Sequence, residues 1–146
     1  MAVPPLVQSY VHNVNNIKVS TPVFGKPPEY DGDRAQLYIL DFLNTKEVCK
    51  KEKSTLIVDV GGLNGDFGLY SASLGCKVTI FEPQLFYAQH IAKSVQLNGL
   101  EEYVTVRAEA VSSYKKVVPM DLPVKGASIA AFVGKSNIQL LIEVTK

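Results

Sequence analysis

Ile57-Val58-Asp59-Val60-Gly61-Gly62-Leu63-Asn64-Gly65-Asp66-Phe67 runs from an apolar stretch into a turn rich in glycine. Cys76-Lys77-Val78-Thr79-Ile80-Phe81-Glu82-Pro83 answers it with a second apolar stretch that ends on a carboxylate. The pair predicts strand, turn, helix and strand. Glycines stand where backbone must approach a ligand, and the acid stands where a ribose would lie, so the stretch reads as a nucleoside-cofactor pocket in a parallel α/β sheet.

Glycine at 61, 62 and 65 removes side chains that would block a close backbone approach and allows positive φ. Glu82 follows Gly61 by 21 positions, against a separation of about 20 at which an acid meets a ribose in doubly wound folds. Pro83 holds Glu82 extended and suits the first turn of a following helix. Taken singly, glycines serve any tight turn, Asp59 can satisfy turn amides, and Glu82 is a strand-end carboxylate. Their combination at this spacing points to a cofactor.

A dinucleotide site would share this outline. Here the spacing is Gly-Gly-x-x-Gly rather than Gly-x-Gly-x-x-Gly, and Asp66 falls in the first helical turn, where a pyrophosphate would be held. An anion there suits a helix N-terminus but repels a phosphate. Asp59 adds a second carboxylate near the loop. S-adenosylmethionine, with a sulfonium, an ammonium, a ribose and no phosphate, matches that charge pattern.

From about Leu56 to Ser112 the chain resembles the FkbM family of S-adenosylmethionine-dependent methyltransferases. The likeness lies in Val58-Asp59-Val60-Gly61, Gly65, Lys77-Val78, Phe81-Glu82-Pro83, Leu97-Asn98-Gly99-Leu100 and Ala110-Val111-Ser112, all in the family's order. One place departs: the family usually has Asn two residues after the first loop glycine, where this chain has Leu63 and then Asn64. The departure bears on the contacts to the cofactor carboxylate. The resemblance implies a Rossmann-like class I methyltransferase fold, a three-layer sandwich around a mostly parallel sheet. The cofactor residues it implies are Asp59, Gly61, Gly62, Asn64, Gly65, Glu82 and Pro83, with Glu109 and Ala110 at the adenine edge. It names no catalytic base. It further implies O-methylation of a small-molecule or saccharide acceptor, and strands and helices beyond those present, so the C-terminal half of the domain is expected to be incomplete.

The 146 residues suit one domain, and a chain of this size buries roughly 68 to 70% of its unfolded surface. A hydrophobic fraction of 47% and a charged fraction of 20% are those of an ordinary globular domain. The net charge of +1 gives no sign of a polyelectrolyte partner, so nucleic acid is not expected. Cys49 and Cys76 are expected as reduced thiols, which fits a cytoplasmic setting. No apolar run approaches membrane-spanning length, and His12 and His90 lack metal-ligand spacing.

Residues 1–32, with turn signals at Gly25-Lys26-Pro27-Pro28, are expected to form a leader with one or two short strands. A partial methyltransferase domain is expected over 33–146. It opens with a helix of about 15 residues carrying Leu37, Leu40 and Leu43 on one face. Leu56–Val60 predicts a central strand covered on both faces. A helix with Phe67, Tyr70 and Leu74 inward follows, then a strand over Val78–Phe81. Next come a helix with Leu85, Ala88, Ala92 and Val95 inward and a strand over Tyr103–Arg107. Beyond Ser112, Val117-Val118, Ile129–Val133 and Ile138–Val144 read as strands. Two other functions fit the same residues: a degenerate, non-catalytic Rossmann-like module, and an NAD-dependent oxidoreductase, which Asp66 and the glycine spacing disfavour.

Overall fold

A computed structural model of the chain describes residues 8–14, 16–23, 44–51, 55–111, 116–121 and 139–145. Its centre is a three-stranded parallel sheet in the order β3-β4-β5, with β3 at Leu56–Val60, β4 at Lys77–Phe81 and β5 at Val104–Arg107. Helix α2, Asp66–Ser73, joins β3 to β4, and helix α3, Leu85–Leu97, joins β4 to β5. Parallel neighbours require such crossovers. Both helices pack on the face carrying Val78, Ile80 and Val104, where these residues join Leu69, Ala72, Ile91 and Val95 in the core.

The inward faces agree in part with those predicted: Ala88 and Val95 are buried and Tyr70 and Leu74 pack against the core, whereas Leu85 and Ala92 are exposed. In α2 the buried residues are Gly68, Leu69, Ser71 and Ala72 besides Asp66, with Phe67 and Tyr70 only half-buried. In α3 they are Tyr87, Ala88, Ile91, Ser94 and Val95, while Leu85 is exposed. Gly68 faces the sheet where an added Cβ would come 2.6 Å from Ile80 Cδ1, and Leu69 and Ile91 fill the core beside it.

The expectation that Leu56–Val60 is central and covered on both faces does not hold among the described residues. β3 is the edge of its sheet, and Leu56, Val58 and Val60 are 60%, 54% and 59% exposed. Its composition is that of a doubly covered strand, but α2 and α3 supply cover on one face only.

Strands β1, Gln8–Val14, and β2, Ile17–Val23, form an antiparallel hairpin turning at Asn16, which takes φ 66. Val14, Ile17 and Val19 enter the same core as the sheet. The hairpin is tied to α3 by side chains that complete the β2 backbone: Ser20 N–H donates to Ser94 Oγ at 2.8 Å and Lys18 N–H to Asn98 Oδ1 at 2.8 Å. Asn98 Nδ2 returns a bond to the Lys18 carbonyl at 2.7 Å. A strand edge needs such partners wherever it is removed from water.

Helix α1, Thr45–Lys51, carries Cys49, which is bonded to Cys76 immediately before β4. The expectation of reduced thiols is therefore corrected. The two Cα atoms lie 4.8 Å apart although 27 positions separate them, and both residues are buried. Chain spacing could not disclose this approach, which depends on how α1 lies beside the start of β4. The first part of the predicted helix, residues 33–43, lies outside the described residues.

A second three-stranded sheet takes the order β6-β8-β7, with β6 at Glu109–Val111, β7 at Lys116–Asp121 and β8 at Gln139–Thr145. β8 runs parallel to β6 and antiparallel to β7. The strands predicted around Val117 and Ile138–Val144 are thus present, and Pro119 lies in an edge strand, where its missing N–H is tolerated. The predicted Ile129–Val133 strand lies outside the described residues.

Candidate functional site

Three consecutive amides after β3 converge on the end of β4. The Phe81 carbonyl accepts both Gly61 N–H at 2.8 Å and Gly62 N–H at 3.1 Å, and Glu82 Oε2 accepts Leu63 N–H at 2.8 Å. Positive φ alternates along the turn, 78° at Gly61, 51° at Leu63 and 77° at Gly65, and Gly65 N–H closes it onto the Gly62 carbonyl at 2.6 Å. Alternation of this kind makes a concavity of N–H groups that favours an anion. Here an internal carboxylate takes one of those amides.

Glu82 is 2% exposed, and its second oxygen, Oε1, accepts Gln84 N–H at 2.8 Å at the N-terminus of α3. The carboxylate thus bridges the glycine turn and the start of α3. A carboxylate offers about four lone-pair positions, so these two amide bonds leave acceptor capacity for hydroxyl donors.

Asp59 lies on β3 beneath the turn. Burial holds its carboxyl above the ordinary value, a hydrogen bond from Gly68 N–H works against that, and the charges of Asp66 and Glu82 add to the rise. Asp59 Oδ2 is buried without a hydrogen-bond partner. Asp66, buried in the first turn of α2, therefore belongs to a group of three acids with Asp59 and Glu82. An anionic group of this kind attracts a cation and repels a phosphate. Tyr87 lies nearby, buried, its hydroxyl pushed up to about 12 by burial and by the charge of Glu82.

The glycines divide by role. A Cβ on Gly62 would overlap Ile80 Cγ2, and one on Gly65 would come 3.0 Å from Ile91 Cγ2. Packing demands glycine at 62, and at 65 the tight approach adds to a left-handed φ of 77°. A Cβ on Gly61 would meet nothing within 4 Å, so the open side of the turn is at Gly61. Gly68 escaped the sequence reading: it brings its N–H to Asp59 and leaves room for Ile80, whose Cδ1 would be 2.6 Å from an added Cβ. A glycine inside a helical pattern was the available signal, since it costs stability and so usually has a packing reason.

Asn64 is buried within the turn, and Pro83 is half-buried between Glu82 and the Gln84 cap. Glu109 and Ala110 follow closely on Arg107, whose carbonyl accepts the Glu82 N–H at 3.0 Å, and Ala110 is paired with Val144 inside β6. Glu109 Oε1 accepts Arg107 Nη2 at 2.6 Å and Nε at 2.9 Å. Arg107 also sits 6.0 Å over the Phe81 ring. No group of three or more His, Cys, Asp or Glu among the described residues is placed to hold a metal ion.

No protein-family description matches the chain, and no curated protein matches it. Solved structures do. A SAM-dependent methyltransferase from Agrobacterium tumefaciens superposes with TM-score 0.56 at 14% identity, over 72% of this chain and 33% of that one. The P. horikoshii protein TYW2, in complex with MeSAdo, gives 0.54 at 18% identity over 73% and 42%. The T. thermophilus 16S rRNA methyltransferase RsmC, in complex with AdoMet and guanosine, gives 0.51 at 19% identity over 74% and 28%. The chain therefore has the Rossmann-like fold of class I methyltransferases and spans between 28% and 42% of the length of these three.

One expectation is overturned by these likenesses. Nucleic acid was set aside on a net charge of +1, yet a protein of the same fold acts on rRNA. Net charge sums over a whole chain, whereas a nucleic-acid contact needs only a local patch, and such a patch can lie in parts of a domain this chain does not span. No helix among the described residues is long and apolar enough to cross a membrane.

Proposed function

We propose that this chain is the cofactor-binding part of an S-adenosylmethionine-dependent methyltransferase. The observation that carries the reading is Glu82, which faces the glycine turn and takes the Leu63 amide that a phosphate would otherwise use. Asp59 and Asp66 beside it complete an anionic pocket floor. A dinucleotide would bring its pyrophosphate against those charges. A sulfonium would meet them favourably.

The residues present fit the cofactor. Glu82 has acceptor capacity left for the ribose hydroxyls, Gly61 leaves its side of the turn open, and Asp59 Oδ2 is a buried acceptor without a partner. Asn64 and Gly65 form the turn, and Pro83 fixes the backbone that presents Glu82. Glu109 is held by Arg107 and contributes to the adenine edge through the backbone of β6, as Ala110 does. When bound, S-adenosylmethionine would supply an electrophilic methyl group on its sulfonium, with the thioether S-adenosylhomocysteine as the leaving group. The chain's part is to hold that sulfonium in place by charge and to orient the ribose, so that an acceptor meets the methyl in near-attack geometry.

O-methylation of a small-molecule or saccharide acceptor is the finer reading, and its support is the FkbM resemblance; RNA, on which RsmC acts, is a second acceptor to assay. The cytoplasmic setting was argued from reduced thiols, and the Cys49–Cys76 bond removes that support.

Calorimetry decides the cofactor. S-adenosylhomocysteine is expected to bind, NAD to give no heat, and Glu82→Ala to lose binding. Heat with NAD alone would establish a dinucleotide site, and silence with both would leave a non-catalytic module.

A further inference from the structure

Among the described residues, three that are not glycine take positive φ: Asn16, Asn44 and Leu63. Asparagine tolerates the left-handed region because its short polar side chain bonds locally. Leucine has no such compensation. A residue held there persists only where its surroundings over-determine it, and such strain gathers at functional positions.

What determines Leu63 is visible on both sides. Gly61 and Gly62 are anchored to the Phe81 carbonyl, Gly65 closes the turn onto Gly62, and Leu63 N–H, between them, reaches Glu82 Oε2 at 2.8 Å. The direction of that amide belongs to the peptide plane between Gly62 and Leu63, and φ of 51° at Leu63 returns the chain beyond it to Gly65, whose N–H closes onto the Gly62 carbonyl. With both sides so anchored, a negative φ would have to be taken up by rotating that plane, which turns the amide off Glu82. Gln84, two residues along the chain, holds only the other oxygen of Glu82. One amide leaves a carboxylate free to pivot. Two, from separate elements, fix its plane.

We propose that Leu63 is a positioning residue: its left-handed backbone keeps its amide on Glu82 and thereby sets the direction in which the carboxylate's remaining lone pairs meet a ribose. The inference rests on the cofactor reading above and adds to it a cause for the strained leucine.

Isoleucine at 63 has the volume of leucine but strongly resists positive φ, whereas glycine and asparagine accept it. Binding of adenosine and of 2′-deoxyadenosine is therefore measured for the wild type, Leu63→Ile, Leu63→Gly and Leu63→Asn. The wild-type, Gly and Asn forms are expected to prefer adenosine, and the ratio in the Ile form to fall about tenfold, the worth of one charge-assisted hydrogen bond. A purely structural role would weaken both ligands alike and leave the ratio unchanged, which overturns the proposal. A second readout needs no ligand and no Ile variant. The Leu63 amide proton resonance should lie downfield in the wild type and move upfield in Glu82→Gln, and an unmoved resonance also overturns it. If the wild type binds neither nucleoside nor S-adenosylhomocysteine, the cofactor reading falls and this inference with it. An unchanged ratio in a wild type that does bind removes the inference alone.

Discussion

Gly62 lies on Ile80. A Cβ built on the glycine overlaps the Ile80 Cγ2 methyl, and one built on Gly68 comes within 2.6 Å of Cδ1 and 2.8 Å of Cγ1. One isoleucine side chain on β4 thus sets the height of both the turn after β3 and the helix after the turn. The glycine turn is positioned by the core beneath it.

Gly62→Ala and Gly68→Ala should each destabilise the protein by about 1 to 3 kcal/mol through overpacking. Ile80→Val removes Cδ1 and keeps both γ carbons. It should relieve part of the Gly68→Ala cost and none of the Gly62→Ala cost. Urea unfolding of the single and double variants measures this as a coupling energy of about 0.5 kcal/mol or more for one pair and about zero for the other. Equal coupling in both pairs would contradict the contact geometry.

Asp59 gives a pH dependence with a definite sign. Burial, its largest cause, raises the carboxyl above 3.8 in the folded chain. The stability it contributes is therefore complete below pH 3.8 and is lost as pH rises through the raised value. Asp59→Asn should raise Tm at pH 7, with the advantage vanishing toward pH 3.8, and should weaken S-adenosylmethionine more than the uncharged-sulfur product S-adenosylhomocysteine. A Tm difference constant from pH 3 to 7 would show that this carboxyl is not the cause.

The hairpin clamp separates buried from exposed hydrogen bonding. Ser94→Ala leaves the buried Ser20 N–H without its acceptor and should cost about 1 to 3 kcal/mol. Asn98→Ala frees the Lys18 backbone to bond to water, and its cost should stay below about 1 kcal/mol. Chemical denaturation ranks the two, and the reverse order would refute the assignment.

The Cys49–Cys76 bond should leave no titratable thiol in the denatured, unreduced chain. With 27 positions between the cysteines, the loop-closure argument gives about 3 to 4 kcal/mol lost in Cys49→Ala/Cys76→Ala. Two free thiols in protein purified without reductant would show that the bond is not formed in solution.

Much of the site was legible because its signals are local. The step from Val60 into Gly61, the acid at Glu82 and the proline after it each occupy a few consecutive residues, and the separation between turn and acid follows from one helix and one strand. Glu109 and Ala110 are expected at the adenine edge by resemblance alone, and the ion pair of Glu109 with Arg107 and the pairing of Ala110 with β8 are contacts no local pattern announces. Gly68 was passed over because its importance comes from what packs on it. Exclusion of nucleic acid failed for a related reason, since a sum of charges carries no information about where the charges lie.

By itself the sequence determined the alternation of strand, turn and helix from Leu56 to Arg107 and the residue types offered at its turn, since apolar periodicity and glycine placement act over a few residues. Tertiary structure alone decided that Glu82 accepts the Leu63 amide, that Ile80 reserves Gly62, that Cys49 meets Cys76, and that β2 docks on α3. Those contacts join residues 18 to 80 positions apart, and they form only when burial of the shared core brings distant segments to the same place.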